Sequence, residues 1–205
     1  MGLILYLVRH GHAENNRDGV FPDDDANKYR LTERGVEEAK GAAELLKTSG
    51  AEVIFSSPVY RAYETATIIG ESLGLGVKVD ERLREVGLGR LKNVSVKTVF
   101  ESNPDWFLEY FDERTVYGIE KYDSIRKRML EFVKDILVAG YTKVIAVSHL
   151  EPIRALITIP LKLSGKDVRK IEIHNASITV VKFESQENVE NFKVVTINCV
   201  PFSRL

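Results

Sequence analysis

Short apolar runs alternate with segments of helical period along most of this 205-residue chain, and few folds accept that alternation. Strands separated by helix-length segments run parallel, each joined to the next by a crossover helix that covers one face of the sheet. The first run, Ile4-Leu5-Tyr6-Leu7-Val8, ends in Arg9-His10-Gly11. Thr32 can then cap a helix from Glu33 to about Lys47, with Val36, Ala39, Ala43 and Leu46 along one face. Glu52-Val53-Ile54-Phe55 reads as a buried second strand, broken at Ser56-Ser57-Pro58. The proline there suits the first position of a helix that carries Arg61 and runs to about Leu73. Gly74-Leu75-Gly76 stops that helix, Val77-Lys78-Val79 is a short third strand, and Asp80 to Asn93 reads as a long loop. Val94 to Ala139 holds no clear strand and divides into two helices broken near Arg114 to Gly118. The fourth strand, Lys143 to Val147, leads through Ser148-His149 into a helix from Glu151 to about Ile159, with Pro152 in its permitted first turn. Ser177 to Phe183 and Phe192 to Ile197 flank the polar Glu184 to Asn191 as a closing hairpin. The expected architecture is one α/β domain over residues 1–205: a three-layer α/β/α sandwich with a mostly parallel, doubly wound central sheet and a helical insertion at about residues 94–139.

Charge balance narrows the partners. With 29 basic against 30 acidic residues and a net charge of -1, no global field draws nucleic acid or an anionic membrane, so anion binding must come from local clusters. The apolar opening from Gly2 to Val8 is too short for a signal h-region or a membrane span. Tyr6 stands where a myristoylation signal needs Ser or Thr, and a cytoplasmic location is expected. Cys199, the single cysteine, lies in an apolar segment and reads as a small buried hydrophobe. The last apolar run, Val194 to Phe202, reads as an internal strand, with an edge that pairs with a second copy in a homodimer as the alternative.

Chemistry-bearing side chains gather where the strands end. Arg9, His10, His12, Glu14 and Asn16 fall within a few residues of the first strand end. A lone histidine there is most often a hydrogen-bonded structural group. An arginine immediately before it, where the strand leaves the core, adds a guanidinium suited to a bidentate anion. Three strand-to-helix junctions supply groups of like use: His10 after the first strand, Arg61 in the first turn of the helix after the second, and His149 ahead of the helix after the fourth. Helix N-termini present unpaired N–H groups and a partial positive charge, and open α/β sheets bind ligands at the carboxyl ends of their strands. A phosphate among these junctions would meet donors already oriented. Glu85 stands among Val86-Gly87-Leu88-Gly89 and is either a carboxyl at the site edge with a raised pKa or an exposed loop glutamate.

Four motifs together resemble a known family. They are Leu7-Val8-Arg9-His10-Gly11 with Asn16 following, Ser56-Ser57-Pro58-x-x-Arg61-Ala62-x-x-Thr65-Ala66, Leu83-x-Glu85, and Val147-Ser148-His149-x-x-Pro152-Ile153-Arg154. In that order, over Leu3 to about Ile157, they are similar to the histidine phosphatase superfamily, which includes cofactor-dependent phosphoglycerate mutases and broad-specificity phosphatases. The resemblance implies a two-step phosphoryl transfer that needs no metal or other cofactor. His10 would be the nucleophile and form a phosphohistidine; Arg9, Arg61 and His149 would stabilise charge on the transferring group, and Asn16 would donate to the phosphate. Glu85 would protonate the leaving oxygen and then activate water or the incoming hydroxyl. Leu150, where the family often has glycine, would donate its N–H and narrow the pocket mouth with its side chain.

Departures from the family pattern bear on the substrate. His12 stands where Glu or Thr is usual and is read as pointing to solvent, with a place in the pocket wall as the alternative. After Glu85 the chain reads Gly87-Leu88-Gly89-Arg90-Leu91-Lys92-Asn93, without the family's Trp-Glu-Gly, so no substrate transfers by analogy. Asp23-Asp24-Asp25 lacks the alternation of a calcium loop and reads as a solvated rim segment that disfavours highly anionic substrates. Gly87-Leu88-Gly89 is not a dinucleotide fingerprint, and His174 reads as structural or exposed. Trp106, Phe107, Tyr110 and Phe111 read as packing of the insertion, with a ligand wall as the alternative. A mutase must shield phosphohistidine from water, which usually takes longer covering segments than this chain has. The expected activity is hydrolysis of a small phosphorylated metabolite. Cofactor-dependent phosphoglycerate mutation and a non-catalytic phospho-ligand binding module are the alternatives.

Overall fold

A computed structural model of the chain describes residues 2–112, 115–185 and 187–201. Its core is a six-stranded sheet of β1 (Leu3–Arg9), β2 (Val53–Ser56), β3 (Val77–Val79), β4 (Lys143–Ser148), β5 (Ile178–Phe183) and β6 (Phe192–Cys199), in the spatial order β3-β2-β4-β1-β5-β6. The first four strands are parallel to one another. The β5–β6 hairpin adds on antiparallel beside β1.

Among the described residues the α-helices are α1 (Glu14–Asp18), α2 (Glu33–Leu46), α3 (Tyr60–Leu73), α4 (Val96–Ser102), α5 (Tyr122–Val138) and α6 (Leu150–Leu161). The alternation of strand side chains sorts the core into two layers. On one face Val8, Ile54, Ile145 and Val147 pack with Ala42, Ala43 and Leu46 of α2 and Ala62, Ala66 and Ile69 of α3. On the other, Leu5, Leu7, Val144 and Ala146 pack with Met129 and Phe132 of α5 and Ile153 and Leu156 of α6. The sheet is thus covered on both sides, as the α/β sandwich reading requires. Among the described residues no helix is long and apolar enough to cross a membrane.

Local signals explain most boundaries. Thr32 Oγ1 accepts the Gly35 N–H and starts α2. Gly74, at φ +67, ends α3 in the left-handed conformation. Pro58 departs from its expected place: α3 starts at Tyr60 after Val59, so the proline sits in the strand-to-helix turn and outside the helix. The expected loop from Asp80 to Asn93 contains two short 3-10 turns, Glu81–Leu83 and Gly89–Leu91.

The insertion is more divided than two helices. A 3-10 turn, Trp106–Tyr110, lies between α4 and α5. The expected break starts at Arg114, outside the described residues, but its far side is tied down by Glu109. That carboxylate accepts N–H groups from Val116, Tyr117, Gly118 and Ile119. Cys199 corrects the expectation of a buried thiol, because it is exposed. The cause is the position of β6, which is one of the two edge strands and keeps most of its side chains exposed, including Val195 and Ile197. The same placement corrects the reading of Val194 to Phe202 as an internal strand; Phe202 lies outside the described residues.

Candidate active site

Chain topology opens a crevice at the carboxyl ends of β1 and β4. These neighbours align Arg9 with Ser148. The long crossover helix between β1 and β2, α2, packs on one face of the sheet and the helix after β4, α6, packs on the other. Adjacent parallel strands whose helices diverge in this way leave a gap between them. His10 and His149 stand in it with ring centroids 5.1 Å apart, and both are buried.

Hydrogen bonds fix the tautomer of each ring. His10 Nδ1 lies 2.7 Å from the Gly11 carbonyl oxygen, which only accepts, so Nδ1 carries the proton and the Nε2 lone pair is left. Arg61 Nε donates to that Nε2 at 3.1 Å. Arg61 Nη2 lies 3.3 Å from His149 Nδ1; a guanidinium only donates, so His149 carries its proton on Nε2 and donates it to Ser57 Oγ at 2.9 Å. Burial, Arg61 and Arg9 hold His10 well below the ordinary imidazole value. Burial, Arg61 and His10 do the same for His149. Both rings are therefore neutral bases at neutral pH.

Arg61, in the first turn of α3 and 1% exposed, is the hub of the site. Its Nη1 and Nη2 form a fork on the Asp24 carboxylate. That contact corrects the reading of the Asp23-Asp24-Asp25 run as a solvated rim. Asp24 is 13% exposed and lies on the guanidinium. Asp25 pairs with Arg84 and Lys92, and Asp23 with Lys92. The three carboxylates point at three cations, which a sequence reading of acidic residues in isolation does not reveal.

Glu85 enters from the loop after β3. The loop is pinned by Ser148 Oγ, which donates to the Leu83 carbonyl at 2.7 Å. Glu85 Oε1 accepts the Val86 N–H at 2.9 Å and the Glu151 N–H, near the start of α6, at 3.3 Å. Burial, followed by the neighbouring Glu151, pushes its pKa up to about 7, against the pull of the Val86 N–H, Arg61 and Arg9. Of the two readings left open for Glu85, the structure favours the carboxyl at the site edge. Glu151 itself is buried and neutralised by Arg154 at 2.9 Å.

A cavity of about 260 Å³ joins these groups, lined by Arg9, His10, Asn16, Arg61, Glu85 and Leu150 among others. Every residue assigned a role at the sequence level except His149 lines it, and His149 touches it through Arg61. Arg9 Nη1 donates to the Ile173 carbonyl at 2.6 Å, while its Nε is buried without a partner. Asn16 Oδ1 accepts the Ala13 N–H at 3.0 Å, which leaves its amide N–H groups for a ligand. His12 lies elsewhere: its Nδ1 is 3.0 Å from Thr32 Oγ1 at the start of α2, so it neither points free to solvent nor joins the wall. His174 is exposed, as expected. Sequence reasoning missed Asn175, whose Nδ2 donates to the His10 carbonyl at 3.0 Å from a position 165 residues away; no local pattern marks it.

Known proteins resemble this chain along most of its length. The model of the histidine phosphatase superfamily (branch 1) matches residues 5–198. A phosphoserine phosphatase of Hydrogenobacter thermophilus is 31% identical over 194 residues, covering 90% of this chain and 89% of its own. A 2,3-bisphosphoglycerate-dependent phosphoglycerate mutase of Thermoplasma acidophilum is 33% identical over 185 residues, covering 88% of each. Among solved structures, a mycobacterial glucosyl-3-phosphoglycerate phosphatase superposes with a TM-score of 0.82 at 26% identity, covering 97% of this chain and 99% of that one.

Proposed function

Because the chain belongs to branch 1 of the histidine phosphatase superfamily, we propose that it hydrolyses a small phosphomonoester through a phosphohistidine on His10. The observation that carries this reading is the pairing, in one cavity, of a His10 whose Nε2 lone pair is free of a proton with a Glu85 carboxyl whose pKa burial pushes up to about 7. In the first step Nε2 attacks phosphorus and the bond from phosphorus to the ester oxygen breaks. Glu85 gives its proton to that oxygen, and the alcohol leaves. In the second step Glu85 takes a proton from water as the water oxygen attacks phosphorus. The phosphorus–nitrogen bond breaks, and inorganic phosphate and the neutral imidazole are restored. Arg9, Arg61 and Asn16 offer donors to the equatorial oxygens, each worth roughly 3 kcal/mol in the transition state, and His149 acts through Arg61, whose Nη2–H its Nδ1 accepts. Leu150 lines the same cavity. No metal or organic cofactor enters the scheme.

Phosphoglycerate mutation is the second reading, supported by the 33% identical mutase. Release of phosphate from p-nitrophenyl phosphate, compared with isomerisation of 3-phosphoglycerate in the presence of 2,3-bisphosphoglycerate, separates the two. Faster isomerisation than hydrolysis overturns the preference. His10→Ala abolishes turnover on either reading, and Glu85→Gln slows esters of poor leaving groups more than p-nitrophenyl phosphate. Parent-like rates in both variants would show the roles assigned to His10 and Glu85 to be wrong, and no turnover by the parent would return the chain to a non-catalytic binding role. A cytoplasmic location belongs to the same proposal, and cell fractionation checks it.

A further inference from the structure

Residues 84–88, which carry Glu85, belong to no helix or strand. The polar backbone groups of such a segment find partners elsewhere in the fold, and those partners decide where the segment lies. On one side Ser148 holds the Leu83 carbonyl. On the other, the fastening comes from α5 and from Glu120, two residues ahead of it. Arg128 Nη1 donates to the Arg82 carbonyl, and Nη2 lies 3.5 Å from that of Glu85 itself. The Glu120 N–H donates to the Gly87 carbonyl at 2.8 Å, and Glu120 Oε2 accepts the Gly87 N–H at 3.1 Å.

Arg128 and Glu120 are locked to each other. Nε donates to Oε1 at 2.9 Å and Nη2 to Oε2 at 3.1 Å, a planar fork that fixes direction as well as distance. Their side chains are 17% and 24% exposed. The pair therefore grips the loop on both flanks of Glu85, at Arg82 before it and at Gly87 after it. A partly exposed ion pair adds little to global stability, whereas a displacement of about 1 Å in a reacting group can cost about a hundredfold in rate. Those magnitudes put the value of the pair in placement.

We propose that Arg128, through its fork on Glu120, is a positioning residue for the general acid: it fixes the loop so that the Glu85 carboxyl meets the ester oxygen that leaves. The assignment rests on the hydrolase reading for the role of Glu85 and adds the device that places it.

Phenyl phosphate needs more help from an acid than p-nitrophenyl phosphate, because phenol is the poorer leaving group. In Arg128→Met, kcat/KM for phenyl phosphate is expected to fall about tenfold or more, and that for p-nitrophenyl phosphate by no more than about threefold, as for a general acid moved out of place. With Glu85→Gln already present there is no acid to misplace, and the same substitution changes either rate by less than about twofold. Glu120→Gln breaks the fork from its other side and repeats the result, which keeps the test available should Arg128→Met not fold. Arg128→Lys, which keeps the charge without the fork, recovers part of the loss. Equal losses for the two esters, or a loss that persists in full beside Glu85→Gln, overturn the proposal, since a pair that only stabilised the fold would act on both esters alike. Failure of the hydrolase reading is seen separately, as no phosphate release from p-nitrophenyl phosphate by the parent. In that event amide exchange decides: the Val86 and Glu151 N–H groups are both donated to Glu85 Oε1. Their exchange should quicken about tenfold in Arg128→Met, with the amides of β1 as the reference for global opening. Unchanged protection at both overturns the proposal.

Discussion

Arg61 shows how much one side chain can decide. It donates to both imidazoles and keeps the lone pairs of His10 and His149 turned toward itself. Its remaining N–H fork, the part suited to a phosphoryl group, is occupied by Asp24. Substrate phosphate must therefore exchange one anion for another. Asp24→Asn keeps the shape and removes the competing charge, and inhibition by vanadate or inorganic phosphate should tighten about tenfold, within the range of one charge-assisted contact. Unchanged or weaker inhibition in that variant would show that the carboxylate does not compete. Arg9, His10, Arg61 and His149 stood out in the sequence because each follows a strand or opens a helix within a few residues, whereas the role expected of Glu85 came from the family resemblance alone. Asp24 and Asn175 were not, since their partners lie 37 and 165 residues away and only the folded chain brings them together.

At the level of elements, the nucleophile is placed by a contact between two backbones. The turn after β1 passes the start of α2 so closely that a Cβ on Gly35 would lie 2.0 Å from the His12 carbonyl oxygen, and one on Gly11 would lie 2.5 Å from that of Gly35. Both obstacles are main chain and cannot rotate away. Gly35→Ala should cost roughly 2–4 kcal/mol in urea unfolding, as backbone clashes at buried sites do, and should lower the rate through displacement of His10. Gly76, which has open space around its Cβ position, is the control; Gly76→Ala should be neutral or slightly stabilising, and equal losses in the two variants would refute the argument. Strand and helix periods were readable because each element buries a face that repeats at its own period. Pro58 and the turn Trp106–Tyr110 escaped that reading for a shared reason. The proline acts through φ in either a turn or a helix start, and the turn around Glu109 is organised by a buried carboxylate rather than by periodicity.

Across the whole molecule the site loads folding with a pH dependence. His10 and His149 have lowered values when folded, so their contribution is present above about 6.5, the ordinary imidazole value, and is lost as pH falls toward the folded values. Glu85 has a raised value, so its contribution is present below the ordinary carboxyl value and is lost as pH rises through about 7. Just below the ordinary imidazole value the unfolded chain takes up protons on two imidazoles that the folded chain keeps neutral, and the folded one holds one on Glu85. From these three groups stability therefore climbs with pH by roughly 1 kcal/mol per unit. Glu85→Gln removes the opposing proton and should steepen that slope by a similar amount in urea titrations at stepped pH. An unchanged slope would mean that Glu85 is an ordinary carboxylate in the fold.

The ion pairs of the Asp23–Asp25 segment also bear on how a turnover ends. Asp25 and Asp23 hold the segment to Arg84 and Lys92, which flank Glu85 in sequence, so Asp24 stays within reach of Arg61 after a substrate has displaced it. A tethered group acts at an effective concentration in the millimolar range. Newly formed phosphate would then face a rival on its own chain, and departure of product would be a replacement in which the site is never left bare.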